Sequence, residues 1–116
     1  MLAKQRRLVK EKDFARTFKR GKSFYARFLG VKAAANQTGT NRYGIIISSK
    51  VSKKATERNK LKRQIRAVLK ELDEQLISGY DMAIIVSPAA LKQDFKSLKA
   101  ELVKIFSKLK LFKSNK

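Results

Sequence analysis

The sequence predicts an α+β fold, a single-domain α/β sandwich in which a small sheet carries helices mainly on one face. Three observations lead there. Residues 55–76 and 88–109 repeat apolar side chains every three or four positions, as amphipathic helices do. Residues 23–35 alternate, and 43–49 and 81–86 are apolar runs of strand length. The order helix, strand, strand, helix, strand, helix gives one sheet to be covered by helices that must each bury an apolar stripe. A length of 116 residues fits one domain, 1–116, and leaves no room for two. With 43% hydrophobic residues the chain can build a core, which excludes a disordered basic tail.

Each element has its own signal. In residues 10–20, Phe14 and Phe18 lie four apart on one helix face, and Gly21 suits a left-handed helix end. Along 23–35, read as one strand, Tyr25, Arg27, Leu29 and Val31 point to one side and Phe28, Gly30 and Lys32 to the other. The second strand centres on Ile45-Ile46-Ile47, and the polar loop 36–41 before it suits a hairpin. Leu61, Ile65, Val68, Leu69, Leu72 and Leu76 define the strongest helix, from Ala55 to about Leu76, ended by Ser78-Gly79. Residues 81–86 read as a buried strand. Ser87-Pro88 opens the last helix, with Ser as cap and Pro in the first turn. Its stripe is Leu91, Phe95, Leu98, Leu102, Ile105, Phe106 and Leu109. The parts expected to be flexible are the basic arm 1–8, the loop 36–41 and the tail 113–116.

Charge narrows the function. The chain holds 29 Lys and Arg against 9 Asp and Glu, a formal net charge of +20. Such self-repulsion destabilises a compact state and suits a protein whose working state lies against a polyanion. Nucleic acid is the first candidate and an anionic membrane surface the rival. There is no Cys and no His, which removes disulfides, thiolate metal sites and the commonest general base at neutral pH. No apolar run approaches the ~18 residues of a membrane span, and none of signal-peptide length follows the N-terminal basic residues. A soluble cytoplasmic protein is the expectation.

The segment 50–70 concentrates the cations: Lys50, Lys53, Lys54, Arg58, Lys60, Lys62, Arg63, Arg66 and Lys70. On a helical wheel the apolar residues fill one arc of roughly 100°, and Arg58, Asn59, Lys62, Arg63, Arg66 and Lys70 fill the neighbouring arc. A solvated face normally mixes signs to gain i,i+4 pairs. Here five basic residues occupy the nine positions 58–66 with no acid among them. That pattern points to phosphate binding. Arg can grip phosphate bidentately, Lys acts as a point charge, and the Asn59 amide can donate and accept at a 2′-hydroxyl or base edge.

The stretch Arg58-Asn59-Lys60-Leu61-Lys62-Arg63-Gln64-Ile65-Arg66 resembles the Arg-Asn-Arg helix of bacterial ribonuclease P proteins. Ser48-Ser49-Lys50-Val51-Ser52-Lys53-Lys54-Ala55 resembles the strand and turn before that helix. Asp13-Phe14 with Phe18 and Gly21, and Gly79-Tyr80-Asp81, resemble further signatures of the family, so that the likeness spans roughly residues 7–106. Lys60 departs from the motif's second Arg, Ser49 from a frequent Lys and Ala67 from a frequent Glu.

The resemblance implies a sandwich like the second domain of ribosomal protein S5, with a left-handed βαβ crossover that the general handedness rule argues against. It implies two RNA surfaces. The motif helix, with Lys50, Lys53, Lys54, Arg58, Asn59, Lys60, Lys62, Arg63 and Arg66, would lie against a catalytic RNA. A cleft between the first helix and the sheet would hold the single-stranded 5′ leader of precursor tRNA through Phe14, Phe18, Phe28 and Lys32, with Ile46 and Ser48 beside them. Aromatic platforms beside a basic track are how single strands are held, although helix-face Phe residues also suit core packing.

The residues themselves show no catalytic constellation. The nine acids are scattered, whereas phosphodiester hydrolysis usually needs clustered carboxylates holding metal, or a base. The resemblance implies that the RNA supplies the active site and requires Mg²⁺. No catalytic residue, metal ligand, firmly bound cofactor or obligate protein partner is expected of this chain. Two other readings fit the charge: a non-catalytic RNA-binding protein, such as a ribosomal protein or RNA chaperone, and a DNA- or membrane-surface protein. The motif helix lacks the Trp/Phe-rich face of an interfacial helix.

Overall fold

The computed structural model describes residues 7, 8 and 10–113. Helix α1 (Glu11–Arg20) leads into strands β1 (Lys22–Tyr25) and β2 (Leu29–Ala35). Then follow β3 (Arg42–Ile46), α2 (Ala55–Leu72), β4 (Tyr80–Val86) and α3 (Phe95–Lys108), with short 3-10 turns at Asp73–Gln75 and Pro88–Lys92. The strands form one sheet in the order β1-β2-β4-β3. β4 runs antiparallel to β2 and parallel to β3, so β3–α2–β4 is a crossover unit between neighbouring parallel strands.

This order corrects two expectations. The segment 23–35 is not one strand: it folds back at residues 26–28 into a hairpin, pairing Tyr25 with Gly30. The sequence shows no Gly or Pro there, because the turn is held from outside. The buried carboxylate of Glu101, on α3, accepts the backbone N–H groups of Arg27, Phe28 and Leu29 at 3.2, 2.7 and 2.7 Å. The loop 36–41 does not close a hairpin either, because β4 inserts between β2 and β3.

Alternation along the strands makes two faces. Leu29, Val31, Ala33, Met82, Ile84 and Val86 join Leu61, Ile65, Val68, Leu69, Leu98, Leu102, Ile105 and Phe106 in the core beneath α2 and α3. Gly30, Lys32, Ala83, Ile85, Gly44 and Ile46 occupy the alternate positions on the opposite face. There α1 lies across β2 and β4, so two of the three helices share the core face, as expected, and α1 covers the other.

α1 docks through polar groups. Asp81 of β4, 1% exposed, accepts from Arg42 at 2.8 and 2.7 Å, from Asn36 at 2.8 Å and from Arg16 of α1 at 3.2 Å. Arg42 also pairs with Asp13 of α1 at 3.4 Å. Burial alone would raise the Asp81 carboxyl, but the Arg42 and Asn36 hydrogen bonds and the nearby guanidinium charges outweigh it and hold its pKa below the ordinary value. The Arg42 pKa is raised, first by its hydrogen bond to Asp81.

Several local expectations change. Gly21 is extended, at φ −74°, not left-handed. What it needs is closeness, since a Cβ there would meet the Thr17 carbonyl oxygen at 2.4 Å. Ser87 precedes the 3-10 turn and donates its hydroxyl to Phe28 O, while Asp94 caps α3 by accepting from Ser97 N at 2.8 Å. Of the segments expected to be flexible, residues 1–6 and 114–116 lie outside the described residues. Leu8 is buried and bonded to Tyr43 O, and Lys113 N donates to Gln75 O. The loop 36–41 is cross-linked by Asn36 and Thr38, and Asn41 is buried with bonds to Ile77 and Tyr80.

Candidate nucleic-acid interface

The first surface is the flank of α2 and the loop before it. The helix buries Leu61, Ile65, Val68, Leu69 and Leu72, which turns Asn59, Lys60, Arg63 and Lys70 to solvent. Lys62 and Arg66 sit half-buried. The loop is braced so that Lys50, Lys53 and Lys54 remain exposed. Val51 is buried and its N–H reaches Ser48 O, and the Ser48 hydroxyl accepts from Lys50 N. Arg58 is partly committed to this brace, donating to Ser52 O at 2.7 Å. Its remaining donors are available to phosphate.

Around the edge of β3 a depression gathers Arg7, Lys62 and Arg66 beside Leu8, Phe14 and Tyr43, with no acid in its lining. Burial, and then the Arg7 charge, lower the Arg66 pKa. Arg7 Nε is buried there without a hydrogen-bond partner among the described residues. Three cations converge on one depression, where a phosphate could be reached by all three. Arg7 escaped the sequence reading because only the fold brings the arm to β3.

The second surface is the sheet face beside α1. Phe14 is half-buried over Gly44, where a Cβ would come within 2.2 Å of its ring. Phe18 is 38% exposed, and Lys32 Nζ stands 5.2 Å from its ring centroid, a cation–π pair. Ile46 is half-buried across from Ile85 in the same face. The structure thus brings Phe14, Phe18, Lys32 and Ile46 to the sheet face beside α1, on which the small residues Gly30, Ala83 and Gly44 are buried. Phe28 differs: the turn lifts it out of the strand and packs it against the core cluster. Ser48 lies beyond the end of β3, on the braced loop. Tyr25, assigned by alternation to the side of Leu29 and Val31, is on the opposite side, since the turn shifts the parity of β1.

A cationic helix flank and an aromatic face with a Lys beside it are the kinds of surface on which proteins hold structured and single-stranded RNA. The comparisons make this specific. The Ribonuclease P family model matches residues 2–110. The ribonuclease P protein component of Pseudanabaena sp. is 35% identical, over 99% of this chain and 100% of its own length. That of Clostridium botulinum (strain Loch Maree) is 31% identical, over 94% and 98%. Among solved structures, the ribonuclease P protein of Staphylococcus aureus superposes with a TM-score of 0.83 at 28% identity, covering 93% of this chain and 98% of that one. The Thermotoga maritima protein gives 0.76 at 30%, covering 84% and 92%. The chain belongs to the ribonuclease P protein family. It is the protein subunit of an endoribonuclease of tRNA processing, which excludes the ribosomal-protein and chaperone readings.

Proposed function

We propose that the two surfaces divide the RNA between them. The α2 flank and its loop, with Lys50, Lys53, Lys54, Arg58, Asn59, Lys60, Lys62, Arg63 and Arg66, hold the catalytic ribonuclease P RNA. The groove of Phe14, Phe18, Lys32 and Ile46 holds the unpaired 5′ leader of precursor tRNA. The observation that carries this is the Phe18–Lys32 pair, a partly exposed ring and a cation together on the sheet face beside α1. Stacking of a base on such a ring contributes about 1–3 kcal/mol, and the cation serves the adjoining phosphate.

In this reading the protein performs no bond-breaking step. Its cations screen repulsion between two RNA strands and release counterions, which lowers the Mg²⁺ the RNA requires. Leader binding favours precursor over product. Such a ribonucleoprotein works in the cytoplasm, beside its tRNA substrate. The test is cleavage of precursor tRNA by a bacterial ribonuclease P RNA at low Mg²⁺, with and without this chain. Protein-dependent cleavage at the mature 5′ end is expected. Tight, salt-sensitive RNA binding without stimulation would overturn the reading.

A further inference from the structure

Tyr25 is the most exposed large hydrophobic side chain among the described residues, at 56%, and neither surface above uses it. It stands opposite Gly30 in the β1–β2 hairpin. A Cβ on Gly30 would fall 2.2 Å from Tyr25 Cδ1 and 2.5 Å from Cε1, so the ring lies directly on the glycine backbone. This repeats, at the other end of the groove, the arrangement of Phe14 on Gly44. Part of its purpose is local, since an aromatic laid over a strand glycine repairs the missing side-chain contact. That purpose requires only one side of the ring, and the exposure leaves the rest to solvent.

Position gives the exposed part a use. Tyr25, Gly30, Ile85 and Ile46 form one row across the groove face, and Lys32 lies two residues further along β2, about 7 Å away by strand rise. Lys32 is the cation beside Phe18. Arg27, in the turn two residues on, is exposed, and Ser23, which shares Tyr25's face of β1, pairs with Lys32. An aromatic surface flanked by cations, continuing a groove that already holds one ring and one cation, matches an extended single strand of RNA.

We propose that Tyr25, seated on Gly30, is a second stacking platform of the groove, taking an unpaired leader base further from α1 than the one at Phe18. The inference rests on the leader-binding reading and adds to it a subsite with a defined place along the leader.

The experiment measures affinity of the reconstituted holoenzyme for precursor tRNAs whose leaders are shortened one nucleotide at a time. Tyr25→Ala is expected to weaken binding about five- to tenfold for leaders long enough to reach the platform, and not at all for shorter ones or mature tRNA. Tyr25→Phe keeps the ring and regains the wild-type length dependence. Gly30→Ala, whose Cβ displaces the ring, should reproduce the Tyr25→Ala loss at a temperature where circular dichroism shows both variants fully folded. A Tyr25→Ala protein that binds every leader as wild type does, or that loses mature tRNA equally, overturns the inference. Phe18→Ala separates the two levels. If it weakens precursor binding while Tyr25→Ala does not, only the second platform fails; if it too leaves the precursor preference intact, the leader groove itself fails.

Discussion

α2 buries leucine, isoleucine and valine and turns Lys60, Arg63 and Lys70 outward. α1 is built the other way. Its buried residues are Asp13 and Thr17, and its phenylalanines stand half-buried and exposed along the groove. Apolar burial is the main anchor of the first helix, worth about 1.5–3 kcal/mol for each enclosed side chain, with the Glu71–Lys99 surface pair and the Arg58–Ser52 bond beside it. The second lacks that anchor, leaves its rings partly exposed, and holds on instead through Arg16 and Asp13 to the Asp81–Arg42 pair. Under the proposed roles, a helix that presents charge can fold as an ordinary amphipathic helix, whereas one that presents its rings needs a polar tether.

The contrast can be broken from either side. The largest effect is expected on α2. Lys62→Ala, Arg63→Ala and Arg66→Ala together should cost about 4 kcal/mol of catalytic-RNA affinity, close to a thousandfold. They should also flatten the slope of log affinity against log salt by about two to three, read by titration between about 50 and 200 mM salt. An unchanged slope would remove α2 from the RNA.

Next comes the tether of α1. Asp81→Asn should lower unfolding free energy by about 3 kcal/mol at neutral pH, because it removes the nearer of the two buried carboxylates that pair with Arg42 and leaves Asp13, at 3.4 Å. The Asp81 pKa is held below its ordinary value, so its contribution is complete above the unfolded value of about 3.9 and is lost as pH falls through the folded value. Denaturant melts should therefore show the wild type and Asp81→Asn converging below about pH 4. A constant gap down to acid pH would deny the ion pair its role.

Gly44→Ala sharpens the contrast at the groove. Its Cβ would strike the Phe14 ring, and we expect about 1–2 kcal/mol of lost stability with weaker precursor binding. Smallest is Lys60→Arg, which restores the bidentate fork at an exposed position. A gain of about threefold in catalytic-RNA affinity is expected from filter binding, with no change in melting.

α2 was legible because its periodicity is local: Leu61, Ile65, Val68, Leu69 and Leu72 announce a buried stripe and the cations fall beside it. α1 was legible as a helix but not as an inverted one, because Asp81 and Arg42 arrive from strands more distant in sequence. The same acids that read as scattered surface charge include Asp13, Asp81 and Glu101, all buried. Glu101 hides a turn that carries no turn residue of its own, and through that turn it reverses the side on which Tyr25 lies. Strand order was out of reach for a similar reason: the insertion of β4 between β2 and β3 is a pairing choice that neither strand's alternation encodes.

The most direct test is the ratio of precursor to mature tRNA affinity of the holoenzyme, measured for Phe14→Ala/Phe18→Ala and for the triple α2 variant at protein concentrations that saturate the RNA. The division of labour predicts that the ratio falls about tenfold or more when the rings of α1 are removed and stays at the wild-type value when the cations of α2 are. Equal falls in both, or a preserved ratio without the rings, would contradict it.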